Sequence, residues 1–189
     1  MSYMSTNKAL FLDRDGVINI EEGYVHSRDD FRFQKGIYEL CWKAQTLGYL
    51  LLVVKNQAGI ARGYYTESEF LELTEWMVRQ FAERQVHISH VYYCPYHPVL
   101  GSGSYKYDSP DRKPKPGMLL RAQADFNLDL ASSVLIGDQL SDIQAAQAAG
   151  IGTKILLRPG ARLMTMPSQH CYVLDSLDKI SSRFFSLLR

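Results

Sequence analysis

An alternation constrains this chain more than any other feature. Short runs, apolar throughout at 9–12 and 50–54 and apolar after a polar start at 133–136 and 153–157, are separated by stretches whose apolar residues recur at helical spacing. A continuous apolar run of four or five residues reads as a strand covered on both faces, as in a parallel sheet between helix layers. His90–Tyr93 and Cys171–Leu174 read as two further strands. A helix is expected from about Gly36 to Leu47, with Ile37, Leu40, Cys41, Ala44 and Leu47 inward and Gly48 as its stop. Thr66 and Glu69 form a T-x-x-E capping pattern that opens a long helix with Phe70, Leu73, Met77 and Phe81 on one face. Pro116 suits the first turn of a helix carrying Leu119, Ala122 and Phe126. A short helix runs from about Ser141 to Ala149 and stops at Gly150, and a last one shows Leu177, Ile180, Phe184 and Leu188. Strand and helix alternate throughout, so the expected fold class is α/β, a doubly wound, mainly parallel sheet.

The 189 residues show no repeat or linker and are expected to form a single domain, 1–189, with a loop insertion at about 95–116. That loop is rich in Gly, Ser, Pro and Tyr, and a loop of this length is usually functional. A formal net charge of +1 gives no electrostatic case for a nucleic-acid or membrane partner. Any anionic substrate must therefore be held by a few placed cations. Cys41, Cys94 and Cys171 are too few and too widely spaced for a disulfide framework, which favours a reducing, cytoplasmic setting. The first residues have no apolar core of the signal-peptide kind, and no run is apolar enough to span a bilayer.

In doubly wound sheets the site lies at the carboxyl ends of the strands. The polar residues at those ends form a coherent set. Asp13-Arg14-Asp15-Gly16 follows the first strand, Lys55-Asn56-Gln57 the second, and Gly137-Asp138-Gln139 the fourth, with Asp142 close behind; Arg112-Lys113-Pro114 precedes the third amphipathic helix. Two carboxylates at i and i+2 leaving an extended segment can face one side. With Asp138 they offer the hard oxygen ligands that Mg²⁺ prefers. Like charges this close resist joint ionisation unless a cation sits among them, and a metal together with Lys113 would relieve that repulsion. Such a set could attack phosphorus through one carboxylate and move a proton through the other. The G-x-x-x-x-G-K-[ST] loop that cradles ATP is absent from the sequence, so nucleotide-driven transfer has no support. Each string also has a plain reading: D-x-D as a surface turn, the acids around 138–142 as a helix cap, Lys113-Pro-Lys-Pro as an extended linker. Their coincidence at one sheet edge favours the chemical reading.

With these residues the chain resembles the haloacid-dehalogenase-like phosphatases. The segments Asp13 to Asn19, Gly23 to His26, Asn56 to Gly63, Cys94-Pro95, Arg112 to Pro114 and Pro116 to Leu119 narrow the likeness to the heptose-1,7-bisphosphate 7-phosphatase subfamily, over about Ala9 to Gly160. Histidinol-phosphate phosphatases share most of these motifs. The resemblance implies a cap-less, Rossmann-like fold with a covering loop, and a Mg²⁺-dependent phosphomonoester hydrolase acting in lipopolysaccharide-core heptose synthesis. It implies Asp13 as nucleophile, Asp15 as general acid/base, and Lys113 as the cation steadying the phosphoryl group. Mg²⁺ would be held by Asp13, Asp138 and the backbone carbonyl of Asp15. Glu21, Glu22, Gly23, Tyr24, Lys55, Asn56, Gln57 and Ala58 would line the substrate pocket, with Arg112 on the distal part of the substrate, the second phosphate. The partner implied is a small sugar phosphate; the chain is expected to be a monomer or small homo-oligomer. The alternatives are a histidinol-phosphate or other small sugar-phosphate phosphatase, or a weakly active phosphate-binding homologue.

Two regions depart from the subfamily pattern. Thr or Ser normally ends the second strand, where this chain has Lys55, and Ala58 stands for a usual Ser. Lys55 either binds phosphate as a point charge or turns aside. The loop normally holds zinc through Cys-x-His and Cys-x-Cys, but here Tyr96 replaces the His, and Ser109 and Asp111 replace the later cysteines. With Cys94 the one clear ligand, structural zinc is not expected, and Tyr92, Tyr93, Tyr96, Tyr105, Tyr107 and the prolines are expected to order the loop. His87, His90 and His170 read as scattered surface or edge residues, Trp42 and Trp76 as helix packing. His26 ends a pocket segment and could equally touch substrate or not.

Overall fold

The computed structural model describes residues 6–161, 164–166 and 171–187, with side chains at 6–161 and 171–182. His170, Leu188 and the first five residues lie outside the described part, as does the side chain of Phe184. The chain runs β1 (Lys8–Leu12), α1 (Ile37–Thr46), β2 (Tyr49–Asn56), α2 (Ala58–Ala61), α3 (Glu67–Ala82), β3 (Ile88–Cys94), α4 (Gly117–Phe126), β4 (Val134–Gly137), α5 (Leu140–Ala149), β5 (Thr153–Leu157), β6 (Met164–Met166), β7 (Cys171–Leu174) and α6 (Leu177–Leu187). The sheet order is β3-β2-β1-β4-β5-β7-β6. All pairs are parallel except β6 with β7. The expected α/β class holds. The antiparallel edge strand β6 and the one-turn helix α2 are additions, since three- and four-residue elements are too short to show a period.

The strands separate two cores by alternation. Leu10 and Leu12 of β1, with Leu51 and Val53 of β2, pack under Ile37 and Leu40 of α1, Leu73, Met77 and Phe81 of α3, and Leu177 and Ile180 of α6. On the other face Ala9, Phe11, Leu52 and Val54 meet Met118, Leu119 and Ala122 of α4 and Ile143, Ala145 and Ala146 of α5. The cap of α3 forms as its spacing implies: Glu69 N donates to Thr66 Oγ1 at 3.2 Å and Thr66 N to Glu69 Oε2 at 2.7 Å. Trp76 is partly buried against the first core, but Trp42 is 48% exposed, contrary to its expected packing role. Its place on α1 falls just outside the stripe of Ile37, Leu40, Cys41 and Ala44 that meets the sheet. Among the described residues, no helix is long and apolar enough to cross a membrane.

This order positions the site. β1 is flanked by β2 on one side and β4 on the other, so its carboxyl end lies where the winding reverses, the crevice such sheets use for ligands.

Candidate active site

Register brings the strand ends level. Leu12 pairs with Val53 of β2 and with Ile136 of β4, so the residues that follow emerge side by side. Asp13 N donates to Ile136 O at 3.0 Å, which holds Asp13 at the very edge of the sheet. Asp13 is 4% exposed.

Lys113 reaches Asp13 across 100 residues of sequence, its ammonium 2.6 Å from Asp13 Oδ1. The same nitrogen lies 2.6 Å from Asp142 Oδ1 and donates to Val54 O at 2.8 Å. Its backbone is fastened to β2: Asn56 Nδ2 donates to Lys113 O, and Lys113 N to Asn56 Oδ1, both at 2.9 Å. The Lys113–Pro114 peptide bond is cis. Burial would discharge this lysine, but the charges of Asp13 and Asp142 outweigh it and raise its pKa.

Lys55 turns into the site. Its ammonium lies 2.9 Å from Asp15 Oδ2 and 3.6 Å from Asp13 Oδ2. Asp15 is also gripped by Arg14, from Nε at 2.9 Å and Nη2 at 3.1 Å, and that guanidinium further donates to Val25 O at 2.7 Å. Arg14 is 2% exposed and faces the ring of Phe70. Burial raises the pKa of Asp15, but Lys55 and Arg14 together more than reverse this and hold it below the ordinary value.

The remaining acids lie on the β4 side. Gln139 Nε2 donates to Asp138 Oδ2 at 2.7 Å, and Gln139 N to Asp142 Oδ2 at 3.0 Å. Burial, then the nearby charge of Asp13, pushes Asp138 up to about 7. Burial and Asp13 raise Asp142 as well, against the pull of Lys113. Gly16 has φ +81°, and a Cβ there would sit 2.5 Å from the Asp138 carboxylate, so only glycine lets this loop pass so close.

Carboxylate oxygens of Asp13, Asp138 and Asp142 lie within 4.8 Å of one another. All are hard donors; burial, with the charge of Asp13 added to it, raises Asp138 and Asp142, and a cation among them would favour their ionised forms. Asp13, Asp15, Asp138 and Asp142 against Arg14, Lys55 and Lys113 leave one carboxylate in excess. A phosphoryl dianion would meet a net negative site, and a divalent ion reverses that sign. The donor set therefore fits Mg²⁺. The Asp15 carboxylate stands outside the three-acid cluster, turned to Arg14 and Lys55.

Beside these groups opens a cavity of about 350 Å³, lined by Asp15, Glu21, Gly23, Tyr24, Lys55, Asn56, Gln57, Ala58, Gly59, Tyr65 and Arg112. Of the pocket residues expected from sequence, Glu22 alone is outside this lining; it is exposed. Tyr65 is an addition. Gln57 Nε2 donates to its hydroxyl, and that hydroxyl crowds the Cα of Gly59. His26 is exposed outside this cavity, stacked on Tyr65 at 5.1 Å, with Nδ1 2.8 Å from Tyr24 O. Arg14 was hidden between two acids in the sequence; a basic residue within D-x-D was the available signal. Tyr93 of β3 and Tyr105 of the covering loop donate to the two oxygens of Glu67, at 2.6 and 2.8 Å, and Tyr96 packs on Tyr105 and Tyr107.

Residues 111–180 match the HAD-hydrolase-like family model. The chain is 54% identical to the D-glycero-alpha-D-manno-heptose-1,7-bisphosphate 7-phosphatase of Burkholderia mallei, over 86% of this chain and 87% of that one. It is 52% identical to the D-glycero-beta-D-manno-heptose-1,7-bisphosphate 7-phosphatase of Vibrio cholerae, over 80% and 82%. Among solved structures, the D,D-heptose 1,7-bisphosphate phosphatase of B. bronchiseptica, complexed with magnesium and phosphate, superposes with a TM-score of 0.81 at 25% identity, over 95% of this chain and 99% of that one.

Proposed function

The chain belongs to the haloacid-dehalogenase-like hydrolase family, in its group of heptose-1,7-bisphosphate 7-phosphatases, and from that premise we propose that it removes the 7-phosphate of D-glycero-D-manno-heptose 1,7-bisphosphate with Mg²⁺, through an aspartyl-phosphate, on the route to ADP-heptose and the lipopolysaccharide core. The observation that carries this reading is Asp13, set at the sheet edge between two ammonium groups and beside Asp138 and Asp142.

Asp13, Asp138 and Asp142 would hold a Mg²⁺ ion through their clustered carboxylates, with the backbone carbonyl of Asp15 as the further ligand that the family resemblance implies. When bound, the ion neutralises phosphoryl oxygens and keeps the clustered acids ionised. One Asp13 carboxylate oxygen attacks phosphorus as the bond from phosphorus to the sugar oxygen breaks. The departing oxygen takes a proton from the Asp15 carboxyl. Asp15, now ionised, takes a proton from water, whose oxygen attacks phosphorus and frees Asp13 and inorganic phosphate. Lys113 holds Asp13 in line and offers charge to the phosphoryl group. Lys55 has a double bearing. As a cation it attracts the phosphoryl oxygens, and as the partner of Asp15 it disfavours the protonated acid that the first step requires. An arriving phosphoryl dianion competes with Asp15 for that ammonium.

The test is phosphate release with Mg²⁺ over a panel of both anomers of the heptose bisphosphate, fructose 1,6-bisphosphate and histidinol phosphate. Preferred turnover of a heptose bisphosphate is expected. The Lys55 contact with both acids also supports a second reading, a weakly active phosphate-binding homologue, which no turnover on any member of the panel would favour.

The covering loop is read as holding its shape without structural zinc. His97 Nδ1 accepts hydrogen bonds from Val99 N and Leu100 N, and burial raises the Cys94 thiol above its ordinary value, away from the thiolate that zinc needs. Stoichiometric zinc by elemental analysis of protein purified without added metal overturns this.

A further inference from the structure

We propose that Arg62, at the end of α2, is a second guanidinium that works with Arg112 to grip the phosphate of the substrate that is not transferred, and so sets the preference for a bisphosphate over a monophosphate. This inference deepens the reading above and rests on it.

Three observations carry it. First, Arg62 is partly buried, yet its Nε is sealed from solvent and has no hydrogen-bond partner among the described residues. A buried polar group in that state calls for a reason. Arg14 Nη1 is in the same condition, but the rest of that guanidinium already serves Asp15 and Val25; Arg62 serves no acceptor among the described residues. Second, Arg62 has no carboxylate within ion-pair distance among the described residues, and nor does Arg112, whose Nη1 donates to Tyr96 O at 3.2 Å. Arg112 nevertheless feels the positive charge of Arg62, which adds to burial in lowering its pKa. Two neighbouring guanidiniums without an acid between them are the arrangement an anion with several oxygens would bind.

Third, Arg62 adjoins the cavity through Tyr24, one of its lining residues. Its guanidinium lies over the ring of Tyr24, 5.6 Å from the centroid, and Tyr24 lines the same cavity as Arg112 and Lys55. Tyr64 meets the same Tyr24 ring edge-on at 4.7 Å. Ala61 O, next to Arg62, accepts from Ser102 N at 3.0 Å, which ties this end of α2 to the loop that carries Arg112. Lys55 and Lys113 pair with the reacting carboxylates, whereas Arg112, on the same cavity wall, and Arg62 pair with no carboxylate among the described residues. Glu21 is the acid on the cavity wall besides Asp15.

The experiment compares Arg62→Gln and Arg62→Lys with wild type on the heptose 1,7-bisphosphate and on the matching 7-monophosphate. Loss of a charge-assisted contact made alike in ground and transition states raises KM, with kcat spared. For Arg62→Gln the ratio of kcat/KM, bisphosphate over monophosphate, is expected to fall about tenfold or more, mainly through KM for the bisphosphate. Arg62→Lys keeps a charge without the planar fork and is expected to recover part of the ratio. If Arg62 merely props Tyr24, both substrates suffer in parallel; an unchanged ratio in both variants, with wild type preferring the bisphosphate, overturns the inference alone. A wild type without preference for the bisphosphate overturns the functional reading, and this inference with it.

Discussion

Lys55 and Asp15 form an ion pair across the mouth of the sheet, Nζ to Oδ2 at 2.9 Å, with the same ammonium 3.6 Å from Asp13 Oδ2. One flexible side chain therefore bears on both carboxylates assigned to the chemistry. Lys55→Thr removes the ammonium and leaves Arg14 as the main partner of Asp15. The Asp15 carboxyl then takes up a proton more readily. The expected result is a rise in kcat of about tenfold near neutral pH, with a higher KM from the lost phosphate contact. Steady-state kinetics checks this, and unchanged kcat and KM would show Lys55 to be catalytically silent.

Asp13→Asn keeps the shape of the side chain and its place beside Lys113 but removes the nucleophilic charge. Turnover is expected to fall by roughly 10³-fold or more, with circular dichroism and melting showing a preserved fold. Retained turnover would sink the covalent route.

The acids on the β4 side give the metal-free protein a pH signature. The Asp138 carboxyl, at about 7 when folded, binds more protons in the folded than in the unfolded chain between its ordinary value and about 7. Stability therefore falls as pH rises through that window, and Asp142, also raised, acts in the same direction. Asp15 has the opposite sign. Its stabilising contribution is present above the ordinary carboxyl value and is lost as pH falls through its lowered folded value. Mg²⁺ competes with protons for the same oxygens, so it is expected to raise Tm more at pH 8 than at pH 5.5. A gain of 1 kcal/mol corresponds to about 2–4 °C in a chain of this size. Asp138→Asn is expected to flatten the metal-free profile and to lose most of the Mg²⁺ increment. An equal increment at both pH values, by differential scanning fluorimetry, would falsify the assignment.

Arg14→Met tests the buried clamp beneath Asp15. Arg14 is 2% exposed and joins Asp15 to Val25 O, so its loss leaves the buried carboxylate with Lys55 as its one remaining cationic partner. Breaking such a pair from one side costs about 3–5 kcal/mol. Urea denaturation showing a loss under about 1 kcal/mol would mean that Asp15 finds other partners without strain.

Local sequence determined the skeleton. The runs that became β1, β2, β4 and β5, the Thr66–Glu69 cap and the Gly150 stop follow from periodicity and from backbone groups that a neighbour three or four residues away can satisfy. The placing of Asp13, Lys113 and Asp138 at one sheet edge was legible too, because strand ends share an edge once the winding is known. Only the tertiary structure decided where the long charged side chains go. Lys55 could turn in or aside as far as its neighbours are concerned; it turns in because register brings the β2 end level with two carboxylates from β1. Arg14 is buried because Asp15 and Val25 O both meet it there, and Asp142 enters the cluster through a lysine from a distant loop. The exposure of Trp42 and the antiparallel edge at β6 belong to the same class. Each depends on which groups converge from segments far apart in the chain, and electrostatic partners chosen across strands leave no trace in local spacing.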